Sequence, residues 1–238
     1  MIALIDYKAG NLTSVKKALA TLGADVVVPD APEQIADATG VIVPGVGHFG
    51  ATRALDAAWV EAILARVGEG RPLLGICLGM QWLFEGSEEA PDLSGLGLLS
   101  GRCYRLGTSA GRVDDEAEVQ LKADSTGVRL KPDTTEECVT EERVIDDRAV
   151  KIPHVGWNSL AIARSGASIL EGVADGAQVY FTHSYVAPIT GDAAAVTCHG
   201  EPFAAVVQRG HVAGVQFHPE KSGDVGLRIL RNFVELAG

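Results

Sequence analysis

The chain has 238 residues, 47% of them hydrophobic, which is enough for a sizeable core in one domain and in no more than two. Its net charge of −11 argues against a nucleic-acid partner, since such a partner's phosphates need neutralising. No apolar run approaches the ~20 residues that span a bilayer, and the first residues, MIALIDYKAG, lack a basic leader with a long apolar stretch, so neither membrane insertion nor secretion is expected.

From the amino terminus, residues 2–5 read as a buried strand and residues 11–22 as a helix with Leu12, Val15, Leu19 and Leu22 on one stripe. Residues 26–28 follow as a strand, and a short helix begins near Pro32. Residues 41–43 lead into Pro44-Gly45-Val46-Gly47, and a helix covers 55–67. Residues 72–76 (PLLGI) form a strand ending at Cys77, after which residues 78–84 have helical spacing. Repeated strand–helix units call for an α/β fold, a mostly parallel sheet with helices on both faces. Further on, residues 178–187, 193–198, 203–208 and 212–217 read as strands with turns between them, predicted as antiparallel additions to the sheet. Ser222 is placed to cap a last helix with Val225, Ile229, Leu230 and Phe233 facing inward.

Residues 107–150 do not fit a compact domain, holding 12 acidic and six basic residues and few large apolar ones. They read as a solvated insertion within a single domain over 1–238, either disordered or a loosely attached hairpin. A tolerated loop expansion is favoured over a regulatory arm, because surface loops lengthen at little cost. Deleting residues 108–149 is therefore expected to leave folding and chemistry intact, with loss of soluble protein as the contrary result. The four cysteines show no CxxC pair and no metal-like spacing, so a reduced, cytoplasmic setting with inert thiols outside Cys77 is expected and a structural metal is not.

Three short motifs carry the chemistry. A cysteine at a strand-to-helix turn is pushed out at the sheet's carboxyl end, and Gly75 and Gly79 remove side chains that would collide there. The positive end of the following helix favours thiolate at Cys77. In His218-Pro219-Glu220, strand geometry puts positions i and i+2 on one side, so the carboxylate is able to hold the imidazole in the tautomer that faces a sulfur. The Pro44–Gly47 turn lies on the same sheet edge as Cys77, and its glycines let the Val46 N–H turn towards a reacting carbonyl, with the Leu78 N–H as second donor. A phosphate cradle is disfavoured, since neither GxxxxGK[ST] nor GxGxxG occurs. His154 and His183 read as structural histidines.

Through GICLGMQ and GVQFHPEKS the chain resembles the class I (triad) glutamine amidotransferases, whose fold is flavodoxin-like. PGVGHFG at 44–50, KIPHVGWNSL at 151–160 and YFTHSYV at 180–186 make it similar, more narrowly, to the glutaminase subunits of imidazole glycerol phosphate synthases in histidine biosynthesis. Only the acidic insertion departs from that family. The resemblance implies a cysteine nucleophile Cys77, with His218 as acid and base, Glu220 orienting it, and Val46 and Leu78 forming the oxyanion hole. It further implies that Gly47, Gln81, Glu89, Ser184 and Tyr185 hold glutamine, with no cofactor. Asn11, Trp157 and Lys221 would face a (β/α)8-barrel cyclase in a heterodimer. On residue character alone, Gln81 and Glu89 read equally as solvated helix residues, and Trp157 equally as core. Two rival readings stay open: a glutaminase serving a different synthase, and a non-catalytic regulatory subunit of the same fold.

Overall fold

A computed structural model describes residues 1–10, 12–108 and 151–238. Asn11 and almost all of the acidic insertion lie outside the described residues, so the expectations for them have no structural counterpart.

The first half alternates strand and helix: β1 (Ile2–Leu4), α1 (Leu12–Thr21), β2 (Val26–Val27), β3 (Gly40–Val43), α2 (Ala57–Gly68), β4 (Leu73–Ile76) and α3 (Leu78–Trp82). Near Pro32 the expected short helix is the 3-10 turn Pro32–Ile35. Asp56 starts α2, two residues later than expected, because its carboxylate accepts from the Ala58 and Trp59 N–H groups. The rest comprises β5 (Gly86–Ser87), β6 (Arg102–Arg105), β7 (His154–Ser159), β8 (Ala161–Ile162), β9 (Gln178–His183), β10 (Tyr185–Val186), β11 (Ala193–Cys198), β12 (Pro202–Arg209), β13 (Val212–Val215) and α4 (Gly223–Ala237).

The main sheet has eight strands in the order β2-β1-β3-β4-β13-β12-β11-β8, with parallel pairing from β2 through β13 and antiparallel pairing beyond. Two expectations need correction here. Strand β13 is antiparallel to β12 as expected, but it joins β4 in parallel, with Ile76 opposite Val215. The run 178–187 is not one strand of the main sheet either. It breaks at Ser184, whose carbonyl accepts from Leu106 N–H, and splits between a β7–β9 ribbon and a small β10-β6-β5 sheet. The break turns Ser184 and Tyr185 towards the site described below.

Alternate residues of the central strands enter two cores. Leu4, Ile42, Leu74 and Ile76 pack with α1 and α4 on one face, while Ala3, Val41, Val43 and Leu73 pack with residues of α2 and α3 on the other. Covering both faces is what makes these strands read as unbroken apolar runs. Val15 and Leu19 of α1 and Ile229, Leu230 and Phe233 of α4 are buried as expected, with Leu12, Leu22 and Val225 packed partly buried against them. Ser222 does not cap α4 through its side chain. Its hydroxyl donates to His218 O at 2.7 Å and accepts from Tyr180 N–H at 2.9 Å, tying the end of β13 to β9. Cys77 and Cys103 are free thiols, but Cys198, expected to be one, is disulfide-bonded. Local cysteine spacing says nothing about pairing across the fold. Among the described residues no helix is long and apolar enough to cross a membrane.

Candidate active site

The site is built where β4 and β13 end side by side. Cys77 leaves β4 at φ +53, ψ −105, a strained conformation for a residue with a side chain, and its N–H donates to Val215 O at 2.7 Å. The fold tolerates this bend because position 79 is glycine. A Cβ there would stand 1.7 Å from Val43 O, so α3 is pressed directly onto the backbone of β3. At five residues, α3 is little more than one turn, so the dipole behind the sulfur is smaller than the sequence led one to expect.

Three residues past β13, His218 presents Nδ1 to Glu220 Oε1 at 2.9 Å, with both side chains almost wholly buried. Burial alone would lower the histidine's pKa. The Cys77 sulfur beside it, and then Glu220, outweigh burial and raise it to about 9. Among the described residues neither His218 Nε2 nor Glu220 Oε2 has a hydrogen-bond partner. The sulfur thus influences the ring without an aligned hydrogen bond to it. Instead Sγ lies 4.0 Å from Thr182 O and 3.6 Å from Gln216 Nε2.

The two amides expected to bind an oxyanion are engaged elsewhere. Leu78 N–H donates to Gly45 O at 3.3 Å, and Val46 N–H donates to Ala9 O at 3.3 Å. Both bonds involve one peptide unit, Gly45–Val46, whose carbonyl occupies Leu78 and whose N–H points to Ala9. Rotating that unit would release Leu78 N–H and swing Val46 N–H away from Ala9 together. Gly45 has no room for a side chain, since a Cβ would stand 2.1 Å from the buried Tyr7 Oη. Gly47 sits at φ +101 in open space.

Beside Cys77 is a cavity of about 270 Å³. Its lining includes all five residues assigned to glutamine, Gly47, Gln81, Glu89, Ser184 and Tyr185, together with Leu78. Gln81 and Glu89 are not solvated helix residues. Gln81 is buried, donating to Tyr185 O at 2.8 Å, and Glu89 Oε2 accepts from Phe49 N–H at 2.6 Å. His183 also lines the cavity, a placement missed by reading it as structural, although its adjacency to Ser184-Tyr185 was a usable signal. Its Nε2 is 3.1 Å from His154 Nδ1. Burial first, then neighbouring histidines, lower both pKa values, that of His154 to about 4, so both rings are neutral near pH 7. Among the described residues no cluster of His, Cys, Asp or Glu could hold a metal ion.

Trp157 is not core: it is 56% exposed, as is Val155 on the same face of β7. Its ring meets Tyr180 edge-on at 6.1 Å, and Lys221 Nζ lies 5.8 Å from the Tyr180 ring, so Trp157 and Lys221 share one surface patch.

Comparison with known proteins follows the same lines. The family model described as glutamine amidotransferase class-I matches residues 3–236. The chain is similar to proteins named imidazole glycerol phosphate synthase subunit HisH. It is 42% identical to that of Gloeobacter violaceus, covering 99% of this chain and 89% of the relative. To that of Halobacterium salinarum it is 40% identical, covering 98% and 92%. Among solved structures it resembles one titled crystal structure of glutamine amidotransferase, with TM-score 0.65, 20% identity and full coverage of both chains. It also resembles PurLQS from Thermotoga maritima, with TM-score 0.62, 15% identity and coverage of 98% and 97%. At such identities the structural matches speak to fold alone.

Proposed function

The chain belongs to the glutamine amidotransferase class-I family, and from that premise we propose that it is the glutaminase subunit of an imidazole glycerol phosphate synthase, releasing ammonia from glutamine for a cyclase partner. The observation that carries this reading is the register of β4 and β13, which brings Cys77 and the His218–Glu220 pair to one edge beside a cavity of amino-acid size.

In the proposed reaction glutamine lies in the cavity with its α-amino and carboxylate groups towards Gly47, Gln81, Glu89, Ser184 and Tyr185. The Cys77 thiolate attacks the side-chain amide carbon. His218, held protonated beside Cys77 and Glu220, gives its proton to the departing ammonia. The neutral imidazole then takes a proton from water, which hydrolyses the γ-glutamyl thioester to glutamate. Glu220 fixes the ring through Nδ1, leaving Nε2 for the transfer. The tetrahedral oxyanion requires the Leu78 and Val46 N–H groups, each worth about 3–4 kcal/mol of barrier.

Because both amides are engaged by the Gly45–Val46 unit, the isolated chain is the resting form, and rotation of that unit is the activating step. The cyclase, a (β/α)8 barrel forming a heterodimer, docks on the patch holding Val155, Trp157 and Lys221, whose exposed apolar area supports an interface there. The test is glutamate release by the purified chain with and without the cyclase and its nucleotide ligand. Weak activity alone and strong stimulation by the pair are expected. Equal activity in both conditions would refute the gating, and none in either would refute the glutaminase assignment.

A further inference from the structure

Gln216 lies between the end of β13 and Phe217-His218, wholly buried. Its carboxamide has two neighbours: Oε1 is 3.2 Å from Gln81 Nε2, and Nε2 is 3.6 Å from Cys77 Sγ. Which end faces the sulfur is decided by the backbone. Gln81 Nε2 is 2.8 Å from the Tyr185 carbonyl, which only accepts, so that end of Gln81 is its amide nitrogen. The second proton of that nitrogen goes to Gln216 Oε1. Gln216 is therefore obliged to turn an N–H towards Sγ.

The two contacts of the sulfur serve different protonation states. Thr182 O, at 4.0 Å, accepts from the thiol and repels a thiolate. An N–H at Sγ does the reverse, and a hydrogen bond to a charged acceptor is stronger than one to a neutral acceptor. We propose that Gln216 is a positioning residue for glutamine hydrolysis, its N–H holding the Cys77 thiolate in the attacking orientation while Gln81 keeps the carboxamide turned that way. Gln81 also lines the cavity, so the side chain that meets the substrate is the one that sets Gln216. Filling the cavity is thereby felt at the nucleophile through two carboxamides. This inference rests on Cys77 being the nucleophile.

The test is the pH profile of Cys77 alkylation by iodoacetamide in the full chain, located by peptide mass spectrometry, for wild type, Gln216→Met and Gln216→Glu. Removing the donor in Gln216→Met should move the profile up by roughly one pH unit, the size given by losing one hydrogen bond to a charged acceptor. Gln216→Glu keeps the side-chain size and should move it further, because a carboxylate repels the thiolate. It carries the test if the methionine variant does not fold. With the cyclase present, kcat should fall while KM changes little. A residue that merely packs would lower thermal stability and leave the profile in place. Coincident profiles in folded variants overturn the inference. Glutaminase activity surviving Cys77→Ala overturns the reading of the site beneath it, and this inference as well.

Discussion

Substituting Gly79 by alanine probes how the nucleophile's turn is seated. In a helix this change ordinarily gains about 1 kcal/mol from reduced backbone freedom. Here the added methyl would stand 1.7 Å from Val43 O and 2.8 Å from Val43 C, both backbone atoms of a central strand, when real Cβ atoms do not approach within 3.0 Å. No side chain is available to swing away, so α3 and β3 must separate by more than an ångström. Such overpacking costs about 3 kcal/mol or more, which the propensity gain does not offset. A shift of that size at Cys77 should also lower kcat/KM by a factor on the order of a hundred. Gly68→Ala, at the end of α2 with nothing within 4 Å of the new methyl, is the control and should be neutral or slightly stabilising. Urea denaturation followed by circular dichroism gives the stability difference, and glutamate release with the cyclase gives the activity. A Gly79→Ala protein within about 1 kcal/mol of wild type and of near-normal activity would refute this account of the turn.

Cys77→Ala should abolish imidazole glycerol phosphate synthesis from glutamine while leaving synthesis from added ammonia by the assembled pair; glutamine-supported turnover in that variant would rule out the nucleophile assignment. His218 has a folded-state pKa raised to about 9, above its unfolded value, so its contribution to stability is fully present below about pH 6.5 and lost as pH rises through 9. The amount is at most about 3 kcal/mol. Urea melts across that window should show a decline that flattens in His218→Asn, and an unchanged slope would count against the ring's coupling to Cys77 and Glu220. Trp157→Ala should leave the chain's own stability within about 0.5 kcal/mol, because the ring is largely exposed, yet weaken cyclase association by about 2 kcal/mol by calorimetry. Unaltered affinity would place the docking face elsewhere.

Strands covered on both faces are the most legible part of the fold, because packing against two helix layers demands continuous apolar residues. Residues 2–5, 41–43 and 72–76 are readable on that ground alone. The Cys77 turn and the His218–Glu220 pair are readable because each is set by neighbours in the chain. What escapes is whatever depends on register between distant strands. The parallel run of β13 beside β4 and the approach of Gln216 to Sγ follow from pairing that no local pattern encodes, although a glutamine in the apolar run VQF invites the question. The break at Ser184 escapes as well, since the apolar alternation of 178–187 passes through it and a carbonyl bond to Leu106 decides it. So does the diversion of Ser222 from helix capping to the His218 carbonyl.

Two neighbouring strands locked rung to rung deliver Cys77 and His218, so the distance between them is a property of the sheet's own lattice. Change at the periphery of the described sheet has little leverage on it. Control on the proposed chemistry would therefore belong to the third strand, where a single amide plane just past β3 would serve as a safety catch. Under the proposed gating the cutting edge would stay assembled while the catch is on, and no ammonia would be spilled until a consumer is in place.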